Sequence, residues 1–75
     1  MWYYKLPKFE LTITTTSSNK FLLSINNFEC DVYTDPKIAA DNVFTQTTGY
    51  FPFDSCHQEA TVLAIPSDLS EWTKR

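Results

Sequence analysis

Cys56 and His57 form the one adjacent thiol–imidazole pair in this 75-residue sequence. A nucleophilic cysteine needs a base in space, a group that orients the base, and N–H donors that hold an oxyanion. Residues adjacent in sequence often point apart, and no glycine-rich turn follows the pair to expose backbone N–H groups. We therefore expect an ordinary Cys–His pair at the surface, no catalytic residue, and a protein that is not an enzyme.

Metal-binding and acid–base chemistry are not expected either. Four residues could be assembled into a metal site on paper: Cys30, Asp54, Cys56 and His57. A structural site needs about four ligands together, whereas the strand register predicted below places Cys30 in the core. Acids such as Glu29 and Asp31 do acid–base work only in a cleft that separates their pKa values. No phosphate loop or dinucleotide-binding motif is present, so we expect no metal and no cofactor.

The elements that would position these residues begin with a β-meander, whose register follows from two short loops. Asn26-Asn27 is typical of a type I′ hairpin loop, because Asn tolerates the positive φ needed at both positions. This loop places apolar residues opposite one another: Ile25 with Phe28, Leu23 with Cys30, and Phe21 with Val32. A three-residue loop at 17–19, with Asn19 left-handed, similarly pairs Ile13 with Leu23 and Leu11 with Ile25.

Three strands at 9–16, 20–25 and 28–33 result, and alternation at Trp2, Tyr4 and Leu6 allows a fourth strand before them. Pro7 would mark its edge or its end. The predicted inner face is apolar: Phe9, Leu11, Ile13, Phe21, Leu23, Ile25, Phe28, Cys30 and Val32. The predicted outer face is rich in threonine and acids: Glu10, Thr12, Thr14, Thr16, Leu22, Ser24, Glu29, Asp31 and Tyr33. A sheet with one apolar face needs a cover.

A helix that begins at Asp35-Pro36 supplies this cover. Asp35 can cap the free N–H groups of the first turn, and proline suits the first helical position. Apolar and small residues then recur at helical spacing on one face: Pro36, Ala39, Ala40, Val43 and Thr47. The helix is predicted to end near residues 46–48, because Gly49 is the one glycine of the chain and suits a helix C-terminus.

The last third of the chain is predicted to be irregular and aromatic. Pro52 argues against a regular helix at 50–54, where three rings in four residues would close one end of the core. Residues 60–65 favour a strand over a helical turn, and residues 66–72 a one-turn helix with Leu69 and Trp72 on one surface. Asp68 and Glu71 have the spacing of a capping box. The predicted fold is one α+β domain over 1–75, a three- to four-stranded antiparallel meander packed against one helix.

Several short segments resemble a group of small single-domain bacterial proteins of unknown function. The segments are Tyr33, Asp35-Pro36, Ala39-Ala40, Val43, Thr48-Gly49-Tyr50, Phe53-Asp54, Pro66, Asp68-Leu69 and Trp72. They correspond to a meander, a proline-initiated alanine-rich helix, a TGYxxFD-like segment and a C-terminal PxxLxxW. The resemblance covers most of the chain and implies a stand-alone domain, but it implies no particular activity.

Charge and composition narrow the possible partners. Nine acidic and six basic residues give a net charge of -3, and the predicted outer face lacks the cations that hold phosphates. No apolar run approaches the ~20 residues that span a bilayer, and Met1–Lys5 is not the start of a signal peptide. We therefore expect a cytoplasmic protein with two reduced thiols, no membrane contact, and little affinity for nucleic acid.

The abundance of rings suggests a contact surface for another protein. Exposed aromatic residues beside acids are typical of such surfaces, and the predicted partner-binding residues are Tyr50, Phe51, Phe53, Asp54 and Trp72. We expect an adaptor, inhibitor or regulatory subunit that acts through this aromatic–acidic surface. Three alternatives stay open: most of the rings complete the core, the chain self-associates by a sheet edge, or the exposed sheet face binds nucleic acid weakly.

Overall fold

The computed structural model describes residues 1–6, 8–55, 65–66 and 68–75. The strands are β1 (Trp2–Lys5), β2 (Glu10–Thr15), β3 (Phe21–Ile25), β4 (Phe28–Tyr33) and β5 (Thr73–Lys74). The helices are α1 (Pro36–Phe44), α2 (Phe51–Asp54) and a short 3₁₀ helix (Leu69–Glu71). Residues 56–64 lie outside the described residues, as does Pro7. They include the Cys56-His57 pair and all but the last residue of the predicted strand at 60–65.

The strands form one sheet in the order β4-β3-β2-β1-β5, with every neighbouring pair antiparallel. This confirms the predicted α+β class and the meander, although the sheet has one more strand than the largest number predicted. The additional strand is β5, where Thr73 lies opposite Tyr3 and Lys74 opposite Trp2. A two-residue strand has no alternation of its own, so only its pairing with β1 identifies it.

Both predicted loops are confirmed by their backbone angles. Asn26 and Asn27 have φ values of 52° and 69°, and Asn19 has a φ of 60°. The Asn26 side chain also ties the hairpin to β2, since its Oδ1 accepts from the Glu10 N–H at 2.8 Å. Its Nδ2 donates to the Lys8 carbonyl at 3.3 Å. The β2–β3 register follows as predicted, with Leu11 opposite Ile25 and Ile13 opposite Leu23.

The predicted register of β4 is wrong beyond its first residues. Leu23 lies opposite Asp31 rather than Cys30, and Phe21 lies opposite Tyr33, because the pairing shifts between Leu23 and Ser24. A β-bulge of this kind adds one residue to the outer strand and reverses the faces that follow. Tyr33 therefore packs against the core, where Val32 was predicted to be.

Val32 itself lies opposite Leu22, and it is 46% exposed. Its N–H donates to the Asp31 Oδ1 at 2.7 Å, so a side chain serves this backbone group. Phe28 is opposite Ile25 as predicted, but it is 49% exposed because it begins an edge strand beside the turn. The predicted inner-face position is thus wrong for Val32. Phe28 pairs as predicted, but its side chain is half exposed instead of buried.

Helix α1 begins as predicted. Asp35 has extended backbone angles, its Oδ1 accepts from the Lys37 N–H at 2.8 Å, and Pro36 occupies the first turn. The residues that face the sheet are Ala39, Ala40 and Val43, all of them buried. Thr47, the last residue of the predicted apolar stripe, is exposed, because the helix has already ended.

The predicted end of α1 at 46–48 is wrong, since the helix stops at Phe44. Gln46 takes the left-handed conformation with a φ of 56°. Its N–H donates to the Val43 carbonyl at 3.1 Å, and the N–H of Thr47 donates to the Asn42 carbonyl at 2.9 Å. These two bonds form a Schellman motif, with glutamine at the position where glycine is usual.

The core lies between the inner face of the sheet and the helices. Its buried hydrophobic residues are Leu6, Phe9, Leu11, Ile13, Leu23, Ile25, Ala39, Ala40, Val43, Phe53, Ile65 and Trp72. Leu69 packs against this cluster, as predicted for a surface shared with Trp72. Asp68 does not cap the 3₁₀ helix with its side chain; its Oδ2 accepts from the Ser70 hydroxyl instead. No helix of the described residues is long and apolar enough to cross a membrane.

Candidate protein-interaction surface

The loop between α1 and α2 is held closed by the carboxylate of Asp54. Its Oδ1 accepts from the Thr48 N–H at 3.0 Å and from the Thr48 hydroxyl at 2.8 Å. Its Oδ2 accepts from the Gly49 N–H at 2.7 Å, and Gly49 has a φ of 91°, a conformation open to glycine. The predicted partner-binding residue Asp54 thus has its carboxylate oxygens engaged within the chain.

The expectation that residues 50–54 avoid a helix is wrong. Phe51–Asp54 forms the single turn of α2, with Pro52 in its first positions. The first N–H groups of a helix have no partner within the helix, so a proline there removes no hydrogen bond. Proline therefore begins this helix rather than breaking it.

Helix α2 sends Phe51 and Phe53 to opposite sides. Phe53 is fully buried and its ring meets the Phe9 ring edge-on at 5.0 Å. Phe51 is 77% exposed, the largest value among the exposed large hydrophobic residues. The predicted site residue Phe53 therefore belongs to the core, because it fills the space between α2 and the sheet.

Trp72, another predicted partner-binding residue, is also in the core. It is buried and its ring packs against Tyr4 with centroids 6.2 Å apart. The indole N–H has no acceptor among the described residues. A partner could reach neither Phe53 nor Trp72 without unfolding this cluster, so the surface is smaller than the sequence predicted.

Phe28 joins the surface, although the sequence placed it in the core. Its ring stacks on Tyr50, with centroids 4.8 Å apart and planes inclined at 29°. Phe51 follows Tyr50 in the chain, so the loop held by Asp54 carries this exposed ring one residue away from the stack. We call Phe28, Tyr50 and Phe51 the aromatic surface. The sequence feature that could have indicated the exposure of Phe28 is its position directly after a tight turn, at the start of an edge strand.

Negative charge borders the aromatic surface along β4. Glu29 and Asp31 are exposed, and neither has an ion pair within the described residues. Asp31 faces the same side of the sheet as Phe28, whereas Glu29 lies opposite Ser24 and faces the other side. Burial raises the pKa of the Cys30 thiol, and the nearby Asp54 and Asp31 carboxylates raise it further. Burial, and then Asp31, also raise the pKa of Tyr33. Cys30 is a free thiol, and its raised pKa keeps it in the unreactive protonated form.

Positive charge gathers at the opposite edge of the sheet. The Lys74 ammonium lies 5.2 Å from the centre of the Trp2 ring, and the Arg75 guanidinium lies 4.4 Å from the centre of the Tyr3 ring. Four strand spacings separate β5 from β4, or about 19 Å. That distance exceeds the Debye length of ~8 Å in physiological salt, so the cations of β5 do not neutralise the acids of β4.

A separate groove of about 230 Å³ lies between α1 and the 3₁₀ helix. Its lining residues are Lys37, Ile38, Ala40, Asp41, Asp68 and Leu69. The volume is below the range of most small-molecule sites. Within the part of the chain that is described, no three His, Cys, Asp or Glu side chains come together in a way that could hold a metal ion.

No family model, no curated protein and no solved structure matches this chain. The fold and the surface define a class only: a small α+β domain that exposes an aromatic surface beside an acidic edge strand. Arguments about function therefore start from these residues and their geometry.

Proposed function

We propose that this protein is a non-enzymatic, cytoplasmic interaction module that binds another protein through the aromatic surface. It would act as an adaptor, an inhibitor or a regulatory subunit. The observation that carries the proposal is the 77% exposure of Phe51 beside the half-exposed stack of Phe28 on Tyr50. Burying one such ring against a partner contributes about 1.5–3 kcal/mol.

The rigidity of the surface supports the same proposal. The Asp54 hydrogen bonds hold the backbone at Thr48 and Gly49, and Phe53 anchors α2 in the core. Phe51 lies between these two fixed points. A backbone that is already in place loses little conformational entropy when the ring that it carries binds, and this favours affinity. Aromatic anchors are typical of the residues that dominate binding energy.

Affinity capture from the native host, followed by quantitative mass spectrometry, tests the proposal. Wild-type bait is compared with Phe51→Ser and Phe28→Ser baits of equal thermal stability. Ile38→Ser is the matched control, because Ile38 is 47% exposed but lies on α1. We expect a partner that both aromatic variants lose and the control retains. Equal recovery by all four baits would contradict the proposal.

A second candidate, weak nucleic-acid binding by the exposed sheet face, has one observation in its favour. Lys74 and Arg75 lie beside β1, where Arg75 covers the Tyr3 ring, and cations combined with rings are typical of surfaces that bind single strands. Glu29 on the same sheet would oppose it. Salt-dependent binding of a single-stranded oligonucleotide that Arg75→Ala abolishes would support this candidate, and no binding at low salt would remove it.

A further inference from the structure

We propose that the partner of the aromatic surface presents a positively charged segment, whose Lys or Arg side chains lie along β4 between Asp31 and the Phe28–Tyr50 stack. This inference rests on the proposed function and specifies the chemistry of the partner. Charge complementarity and the geometry of the rings carry it.

The acids beside the rings are the first argument. Asp31 is exposed, faces the same side of the sheet as Phe28 and has no ion pair within the described residues. Asp54 adds its charge from the loop, since it acts on Cys30 and Tyr33 of β4. Carboxylates without an ion pair attract a cationic partner and repel an anionic one.

The stacked rings are the second argument. Lys and Arg are attracted to aromatic faces within about 6 Å of the ring centre. The chain already makes two such contacts, Lys74 over Trp2 at 5.2 Å and Arg75 over Tyr3 at 4.4 Å. The Phe28–Tyr50 stack has no cation over it among the described residues, and Phe28 remains half exposed. The stack thus offers an aromatic face, and the neighbouring carboxylates offer negative charge, for a Lys or Arg side chain of the partner.

The mode of contact follows from the bulge. Adding a strand to β4 would require free backbone N–H groups along the edge, but the Val32 N–H already donates to Asp31. Bulges and inward-directed acids protect edge strands from pairing. We therefore infer that the partner contacts side chains of β4 and does not extend the sheet, which also disfavours a second copy of this chain.

Fluorescence anisotropy with two labelled peptides tests the inference. The probes are a peptide of alternating Arg and Leu and a peptide of equal length with Glu in place of Arg. We expect the Arg peptide alone to bind, with an affinity that falls as salt is added. Asp31→Asn, whose amide oxygen can still accept from the Val32 N–H, should weaken this binding about three- to fivefold, and Phe28→Ser about tenfold or more. Asp41→Asn is the matched control and should have no effect, because Asp41 is exposed on α1.

Three results would overturn the inference. Equal binding of the Arg and Glu peptides would show that charge does not select the partner. Equal losses in Asp31→Asn and Asp41→Asn would show a response to net charge alone. A dimer in analytical ultracentrifugation that Phe28→Ser dissolves would make a second copy the occupant.

The failure of this inference can be distinguished from failure of the proposed function. If Phe51→Ser loses the captured host partner while Asp31→Asn keeps it at every salt concentration, the interaction module stands and the cationic segment is wrong. If Phe51→Ser keeps the partner, the proposed function itself is wrong.

Discussion

The Asp54 carboxylate accepts two hydrogen bonds from Thr48, one from its N–H at 3.0 Å and one from its hydroxyl at 2.8 Å. This relationship explains the spacing of the segment from Thr48 to Asp54. Gly49 supplies the left-handed turn and a third N–H to the carboxylate, and Phe53 supplies the buried anchor. The segment is therefore a structural unit, and Asp54 positions the rings before it rather than contacting a partner.

Replacing Asp54 should destabilise the domain. Asp54→Ala is expected to lower the free energy of unfolding by about 2–3 kcal/mol, because charge-assisted hydrogen bonds contribute ~1.5–3 kcal/mol and the buried Thr48 loses its acceptor. Asp54→Asn should lose less, since its amide oxygen still accepts. Urea denaturation of both variants measures the difference. Wild-type stability in Asp54→Ala would show that the loop does not depend on the carboxylate.

The hairpin loop allows a matched pair of substitutions. Asn26→Ala should cost about 1–2 kcal/mol, since it removes the hydrogen bond to the Glu10 N–H and strains a φ of 52°. Asn27→Gly should be neutral or stabilising by up to about 1 kcal/mol, because glycine adopts a φ of 69° without strain. Thermal unfolding of the two variants checks this order, and the reverse order would contradict the type I′ loop.

The bulge in β4 predicts that Val32 tolerates a polar substitution of equal size. Val32→Thr should alter the free energy of unfolding by less than about 0.5 kcal/mol, because Val32 is on the solvent side. Leu23→Ala is the control for a residue that is buried in either register, and it should cost about 2–5 kcal/mol. Guanidinium unfolding distinguishes the observed register from the regular one. A large loss in Val32→Thr would support the regular register and remove the bulge.

Stability should decline in alkaline solution. Burial raises the pKa of Cys30 above its usual 9.0 and that of Tyr33 above its usual 10.0. The unfolded chain therefore loses these protons at lower pH than the folded chain does. As a result, the free energy of unfolding falls as pH rises through 9.0 and 10.0. The stabilisation is complete below pH 9.0 and is lost above it. Urea unfolding across this range should show a shallower decline in Cys30→Ala and Tyr33→Phe; slopes equal to the wild-type slope would contradict the assignment.

The sequence predicted those features that single residues decide. Asn19, Asn26 and Asn27 tolerate positive φ, so both loops and the β2–β3 register followed from residue type. Asp35-Pro36 likewise marked the helix start by local chemistry. Each of these signals acts over a few residues, and each is confirmed.

Features that depend on distant contacts could not be predicted in this way. The β4 bulge has no sequence marker, since it exchanges Val32 for Tyr33 at the inner face and both suit a strand. Gln46 ends α1 in a conformation that usually indicates glycine. For the candidate surface, Tyr50 and Phe51 were identified from composition. The burial of Phe53 and the exposure of Phe28 depended on the packing of α2 against the sheet.

The proposed surface depends most on the exposure of Phe51 and the burial of Phe53, and urea unfolding of two variants tests this difference directly. Phe51→Ser should keep the free energy of unfolding within about 0.5 kcal/mol of wild type, because its ring is 77% exposed. Phe53→Ala should lose about 3–5 kcal/mol. A loss of about 2 kcal/mol or more in Phe51→Ser would place its ring in the core and leave the proposed surface without its most exposed residue.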